Sequence, residues 1–330
     1  MGFSSTRYAI SLVTDDEADD ELRKQLSMAL YGPQQPQVKT SRANIVDWNV
    51  EATGYWTKKE NRDEFNSLNQ SFQDISFLEE PSPSLPTTDR HFKQIPIPPD
   101  GRERVKRVWR RRSFNDSDVV ASGLQCSVTQ RDLCRLDGLE WLNDSLVNMY
   151  MAMINDRANR SGASVPRVHC FNSHFLPKLR HDGYEKMQRW TKRVDLFSME
   201  YVIVPVHRGS HWTTAIINFV EKRFEYYDSL AGGGQDVQDL LRMYLDDECM
   251  AKKGRTFPLE DWADFTPVHL TPQQDNGSDC GVFACQFSEY RSRGSSGIPL
   301  GQIFDFGQEQ MPYFRLRMAH EILEKRLMIS

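Results

Sequence analysis

The chain is poor in several things that would point elsewhere. No apolar run approaches the roughly 18 residues that a membrane-spanning helix requires, so a membrane-embedded protein is not expected. The N-terminus from Met1 to Val13 carries one arginine and broken apolar residues, a poor match to a secretory signal. Six cysteines, at 126, 134, 170, 249, 280 and 285, are scattered without a C-x-x-C pair. That spacing excludes a zinc ribbon, argues against a disulfide scaffold and fits a reducing, intracellular setting. Apolar residues make up only 39 % of the 330 positions, so part of the chain is expected to lie outside a packed core.

The net charge of −5 hides an uneven distribution. Residues 1–101 carry 10 basic and 16 acidic groups, residues 102–112 carry seven basic and one acidic, and the remainder is mildly acidic. Asp15–Glu21 places six carboxylates in seven positions, a block that repels itself and stays solvated. Six prolines between Pro81 and Pro99 remove backbone donors and predict an extended linker. Residues 1–112 are therefore expected to form a largely disordered N-terminal tail. Within it, Ile75–Glu80 has the composition of a strand that could add to a partner's sheet edge, although transient local structure is the simpler reading. Arg102–Arg112 reads as a nuclear localisation signal or a solvated linker face; we expect a nuclear protein, with the cytoplasm as a second compartment, and no broad nucleic-acid binding.

From residue 113 onward the pattern becomes that of a folded domain. Leu139–Met153 shows helical spacing, with Asn143-Asp144 as its start. Tyr201–Val206, Thr213–Val220 and Arg223–Asp228 read as strands. Val237–Cys249 places Val237, Leu240, Leu241, Tyr244 and Leu245 on one helical face, and Pro312–Leu327 reads as a closing helix with proline in its first turn. Helices around a short run of strands predict an α+β domain over 113–330.

One segment differs from ordinary core. Pro272 to Ser278 is polar and turn-forming, and it leads through Asp279 into Cys280, with apolar residues following at 282, 283, 284 and 287. A helix starting at Cys280 would set the thiol against unpaired N–H groups and the positive end of the helix dipole, which favour the thiolate. Gly281 would permit close approach of a substrate backbone. Cys285, inside that helix, reads as a buried small residue. A thiol nucleophile needs a base and an orienter. His211 opens one predicted strand and Asp228 closes the next, so a hairpin would bring them together. His207 reads as a structural strand-end histidine. Gln274, or on spacing alone Gln273, could supply a donor to a developing oxyanion alongside the Cys280 N–H.

These residues resemble the SUMO-specific (sentrin-specific, ubiquitin-like-protein-specific) cysteine proteases. The resemblance is carried by W-L-N-D-S-L-V-N-M-Y at 141–150, H-W-T-T at 211–214, Y-Y-D-S-L at 226–230 and P-Q-Q-D-N-G-S-D-C-G-V-F at 272–283, with Gln310–Pro312 and Arg315–Ile322 as the closing helix. It spans about residues 135 to 328. It implies a papain-like fold with a central mixed sheet flanked by helices, Cys280 as nucleophile, His211 as base, Asp228 as orienter and Gln274 as oxyanion donor. It also implies that Trp212 and Trp141 close on the Gly-Gly end of the modifier. Core packing is the alternative for both tryptophans, and Asp144 either contacts the modifier or caps its helix. The implied partners are SUMO, or a related modifier, and its conjugated targets. The implied enzyme is a monomer that needs no metal or organic cofactor. Proteolysis of a different modifier, or acyl transfer through the same thiol, is the rival expectation.

Overall fold

The structure is a computed structural model and describes residues 92–110, 118–161, 165–294 and 303–328. Ile75–Glu80 and the acidic run lie outside the described residues.

In chain order, helix α1 (Pro99–Trp109) is followed by a small antiparallel ribbon, β1 (Val119–Gly123) and β2 (Cys126–Thr129). Next come the short α2 (Gln130–Cys134), the long α3 (Asp144–Ser161), β3 (Val168–Cys170) and α4 (Phe175–Asp182). Three longer strands follow: β4 (Tyr201–Arg208), β5 (His211–Asn218) and β6 (Arg223–Tyr227). The chain then runs through α5 (Gln235–Lys253), β7 (Ala263–Phe265), α6 (Cys280–Arg291) and α7 (Met311–Glu324).

Strands β3 to β7 form one sheet in sequence order. The outer pairs β3–β4 and β6–β7 are parallel, and the inner pairs are antiparallel. The mixed sheet flanked by helices is the expected class. Successive side chains of a strand face opposite sides, and here both sides are covered. Tyr201, Ile203, Ile216 and Tyr227 face a core built with α3, α6 and α7. Val202, Val204, Ala215, Ile217, Phe224 and Tyr226 face a second core built with α4 and α5. Burial on both faces explains why β4 and β5 read as nearly continuous apolar runs.

Two buried contacts fix α6 against the sheet. Arg291 near its C-terminus donates from Nε and Nη2 to Glu225 of β6 at 2.9 and 2.8 Å. Thr214 of β5 donates its hydroxyl to the Ala284 carbonyl at 2.9 Å. A fully buried carboxylate is tolerated because its partners satisfy it; Asn218 and Tyr227 also donate to Glu225.

The expected boundary at 112/113 needs correction. Residues 99–109 form α1, which packs on the closing helix α7: Val105 is fully buried and Arg104 pairs with Glu324 at 2.6 Å. The preceding residues are pinned too. Phe92 meets Tyr313 and Phe314 edge-on, and Ile95 exchanges two hydrogen bonds with the Tyr313 hydroxyl. The packed unit thus reaches back to residue 92. Arg104, Lys106 and Arg107 sit on the solvent arc of an amphipathic helix whose apolar positions, Val105, Val108 and Trp109, follow helical spacing.

Candidate active site

The β4–β5 hairpin places the first group. Arg208 pairs with His211 across a two-residue loop, Gly209-Ser210, in which Gly209 adopts φ +66°. Such tight loops demand positive φ at a central residue, which glycine supplies without strain. His211 is therefore fixed directly after the turn. The β5–β6 register pairs Thr214 with Tyr227, so Asp228 lies diagonally across from His211. A diagonal pair is within reach of long polar side chains. Asp228 Oδ1 stands 2.6 Å from His211 Nε2 and also accepts from the Leu230 N–H at 2.8 Å. Both side chains are nearly inaccessible to solvent.

Cys280 is the first residue of α6 and is 2 % exposed. The Cys280 thiol acts electrostatically on His211 together with Asp228. Because Nε2 faces Asp228, Nδ1 is the nitrogen left for sulfur. Burial alone would lower the imidazole pKa. The hydrogen-bonded Asp228 carboxylate and the influence of Cys280 outweigh burial and raise it to about 9. The imidazole is then positively charged at neutral pH, beside the sulfur at the start of a helix. This is the arrangement in which a cysteine acts as nucleophile and its histidine as proton carrier. Cys285 is fully buried, and burial pushes its thiol well up.

The loop before α6 separates the two glutamines. Gln274 receives the Ser229 hydroxyl on Oε1 at 2.6 Å and donates from Nε2 to the Asn276 carbonyl at 2.5 Å. Its backbone N–H bonds the Ser229 carbonyl at 2.9 Å. The Asn276 carbonyl can only accept, so it fixes which end of the amide is nitrogen and holds Nε2 toward the 276–280 turn. Gln273 instead spends its amide on the Asp228 and Thr271 carbonyls. Sequence reasoning passed over Ser229, although it directly follows the orienter and could have been suspected from that position.

The tryptophans part company. Trp141 is 37 % exposed, and its indole donates to the Gly277 carbonyl at 2.7 Å, so it is not core and stands beside the Cys280 loop. Trp212 is 3 % exposed and belongs to the core. Its indole donates to the Leu142 carbonyl at 2.9 Å, and its ring lies 4.4 Å from that of His207, its cross-strand partner. His207 is exposed near the end of β4, and partial desolvation lowers its pKa.

Two expectations change. Asp144 does not cap α3: Asn143 does, accepting from the Leu146 N–H at 3.3 Å on its side chain. Asp144 is exposed and takes the Ser173 hydroxyl at 2.7 Å. The missing side chain of Gly281 makes room for Leu142, not for a substrate backbone. A Cβ there would stand 2.8 Å from Leu142 Cβ and 2.9 Å from Cγ. Leu142 therefore ties Trp212, through its carbonyl, to the first turn of the cysteine helix, through its side chain.

Comparison with known proteins agrees with this geometry. Residues 140–327 match the family described as Ulp1 protease family, C-terminal catalytic domain. The chain is 40 % identical over 228 residues to a sentrin-specific protease of Caenorhabditis elegans, covering 68 % of this chain and 31 % of that protein. It is 36 % identical over 212 residues to sentrin-specific protease 2 of Mus musculus, covering 64 % and 34 %. The chain thus spans about a third of the length of these curated relatives. Among solved structures, the C-terminal Ulp1 protease domain in complex with Smt3, the yeast ortholog of SUMO, superimposes with a TM-score of 0.56 at 27 % identity, covering 69 % of this chain and 96 % of that one. With the His211–Asp228 pair and the buried Cys280 thiol all inside the matched region, the chain belongs to the Ulp1 protease family.

Proposed function

We propose that this protein is a cysteine protease that cleaves after the C-terminal Gly-Gly of SUMO, releasing it from lysine side chains of conjugated targets or from its own precursor. The carrying observation is His211 hydrogen-bonded to Asp228, with its pKa raised by Asp228 and Cys280 together, and Cys280 buried at the start of α6. The choice of modifier is supported by the names of the similar proteases and by the Smt3 complex among the similar structures.

The Cys280 thiolate attacks the carbonyl carbon of the terminal glycine, and a C–S bond forms as the carbonyl becomes a tetrahedral oxyanion. The backbone N–H of Cys280 and the second N–H of Gln274 Nε2 serve as donors to that oxygen. As the intermediate collapses, the C–N bond breaks and the leaving amine takes the proton from His211. A water then attacks the thioester, giving its proton to His211, and Cys280 leaves as thiolate. Asp228 holds the imidazole orientation throughout. Trp141, exposed beside the Cys280 loop, and exposed Asp144 suit contact with the incoming modifier tail. Two glycines carry no side chains, so flat aromatic walls can close on their backbone.

Hydrolysis of a panel of ubiquitin-like modifiers, each with a fluorogenic amide after its last glycine, tests the reading. Cleavage of the SUMO substrate, lost in Cys280→Ala, is expected. Preference for another modifier would transfer the reading to that one. Nuclear residence is part of the same proposal and rests on the basic segment that includes exposed Lys106, Arg107 and Arg110. Relocation of a Lys106→Ala/Arg107→Ala variant to the cytoplasm is the expected result.

A further inference from the structure

Far along the chain, Arg315 on α7 reaches the catalytic loop from behind, and it is 4 % exposed. Its Nε donates to Asp279 Oδ1 at 2.7 Å, directly before the nucleophile. Its terminal nitrogens donate to three backbone carbonyls: Arg135 at 2.9 Å, Glu140 at 3.1 Å and Ser278 at 3.1 Å. One guanidinium thus joins two separate segments, 135–140 leading into Trp141 and 278–279 leading into Cys280. Only arginine offers a rigid fork with enough donors for this.

Asp279 is the junction on the other side. It is 1 % exposed, and its Oδ2 accepts from Asn276 Nδ2 and from Gln308 Nε2, both at 2.8 Å. Gln308, in the turn before α7, also accepts the Asp275 N–H on Oε1 at 3.1 Å. The loop that carries Gln274 at one end and Cys280 at the other is therefore held at Asp275, Asn276, Ser278 and Asp279. The Trp141 indole bond to the Gly277 carbonyl adds a second tie between the same two segments.

We infer that Arg315 is a positioning residue for the proposed reaction: through Asp279 it sets the nucleophile and oxyanion donors, and through the Arg135 and Glu140 carbonyls it sets the Trp141 wall in register with them. The inference rests on the protease reading and adds a coupling to it. Arg315 reports on both turnover and substrate capture, whereas Gln308 touches only the Cys280 loop and reports on turnover alone. Displacing reacting groups by about 1 Å costs about 10²-fold in rate.

A matched comparison exists on the same helix. Arg317 is 2 % exposed, pairs with Glu321 at 2.9 Å and donates to the Met328 carbonyl at 2.7 Å, but holds no contact with either loop. Arg315→Lys, Gln308→Ala and Arg317→Lys in the full chain would be assayed for kcat, KM and melting temperature with the fluorogenic SUMO substrate. Arg315→Lys is expected to lower kcat/KM by about 10²-fold, with kcat falling and KM rising. Gln308→Ala is expected to lower kcat at unchanged KM, and Arg317→Lys to lower the melting temperature at wild-type kcat and KM. Wild-type kinetics for folded Arg315→Lys would overturn the inference and leave the protease reading intact. Should Arg315→Lys fail to fold, wild-type kcat in Gln308→Ala would overturn it. A wild-type chain inert toward every modifier substrate would overturn the protease reading and this inference together.

Discussion

His211 sets the pH dependence at the level of single residues. Its pKa is raised to about 9, so the proton that the leaving amine needs is present at neutral pH and is lost as pH rises through that value. The alkaline limb of kcat is expected near pH 9. Asp228→Asn removes the charge that helps to hold the proton, so the limb should move toward neutrality while the rate falls by about 10²–10⁴-fold. A pH–rate profile of both proteins checks this. The same shift has a stability consequence. A histidine raised above its ordinary 6.5 in the fold contributes stability that is complete below about 6.5 and lost toward about 9. The gap in urea midpoint between wild type and His211→Gln should accordingly narrow over that window. Ser229→Ala should release the Gln274 amide and lower kcat by up to about tenfold, in line with the ~1 kcal/mol of one hydrogen bond, with KM unchanged. The His–Asp pair was legible because a two-strand reading brings positions 211 and 228 together. The Gly281 role was not, because what fills the space above it, Leu142, lies 139 positions earlier in the chain.

Among the elements, α6 depends on close fit. Gly281→Ala forces a methyl into Leu142 and should destabilise by about 1–3 kcal/mol while displacing the cysteine helix. A thermal melt and the kcat of the folded protein check both effects. Helix α1 was the element most misread. Seven cations in 11 positions of residues 102–112 suggest a solvated block, yet Arg104, Lys106 and Arg107 within it occupy only the outward arc of a helix. The apolar stripe at 105, 108 and 109 was the available signal. Val105→Ala should cost about 2 kcal/mol if that stripe is core, and nothing measurable if the segment is a linker. The strands and the two long helices were legible because each carries an uninterrupted period over several residues. The proline stretch obscured the opposite outcome at 92–98. Proline prevents helix there but does not prevent an extended segment from docking through Phe92, Ile95 and Ile97.

At the scale of the whole molecule, the site is assembled by distant segments. The sheet supplies His211 and Asp228, α6 supplies Cys280, and α7 returns at the end of the chain to lock the loop between Gln274 and Cys280. The tie between Arg315 and Asp279 spans 36 positions, and that between Arg315 and Arg135 spans 180. Such contacts leave no local period or spacing, so only the folded chain reveals them. Family motifs, by contrast, concentrate at the chemistry and made the nucleophile, base and orienter candidates from the sequence alone. The most direct measurement is the reaction of the full chain with SUMO bearing an electrophile in place of its terminal carboxyl, followed by mapping of the adduct. A covalent adduct on Cys280, absent in Cys280→Ala and abolished when the Gly-Gly of the probe is replaced by bulkier residues, is the expected result. No adduct, or one on any of the other five cysteines, would contradict the assignment.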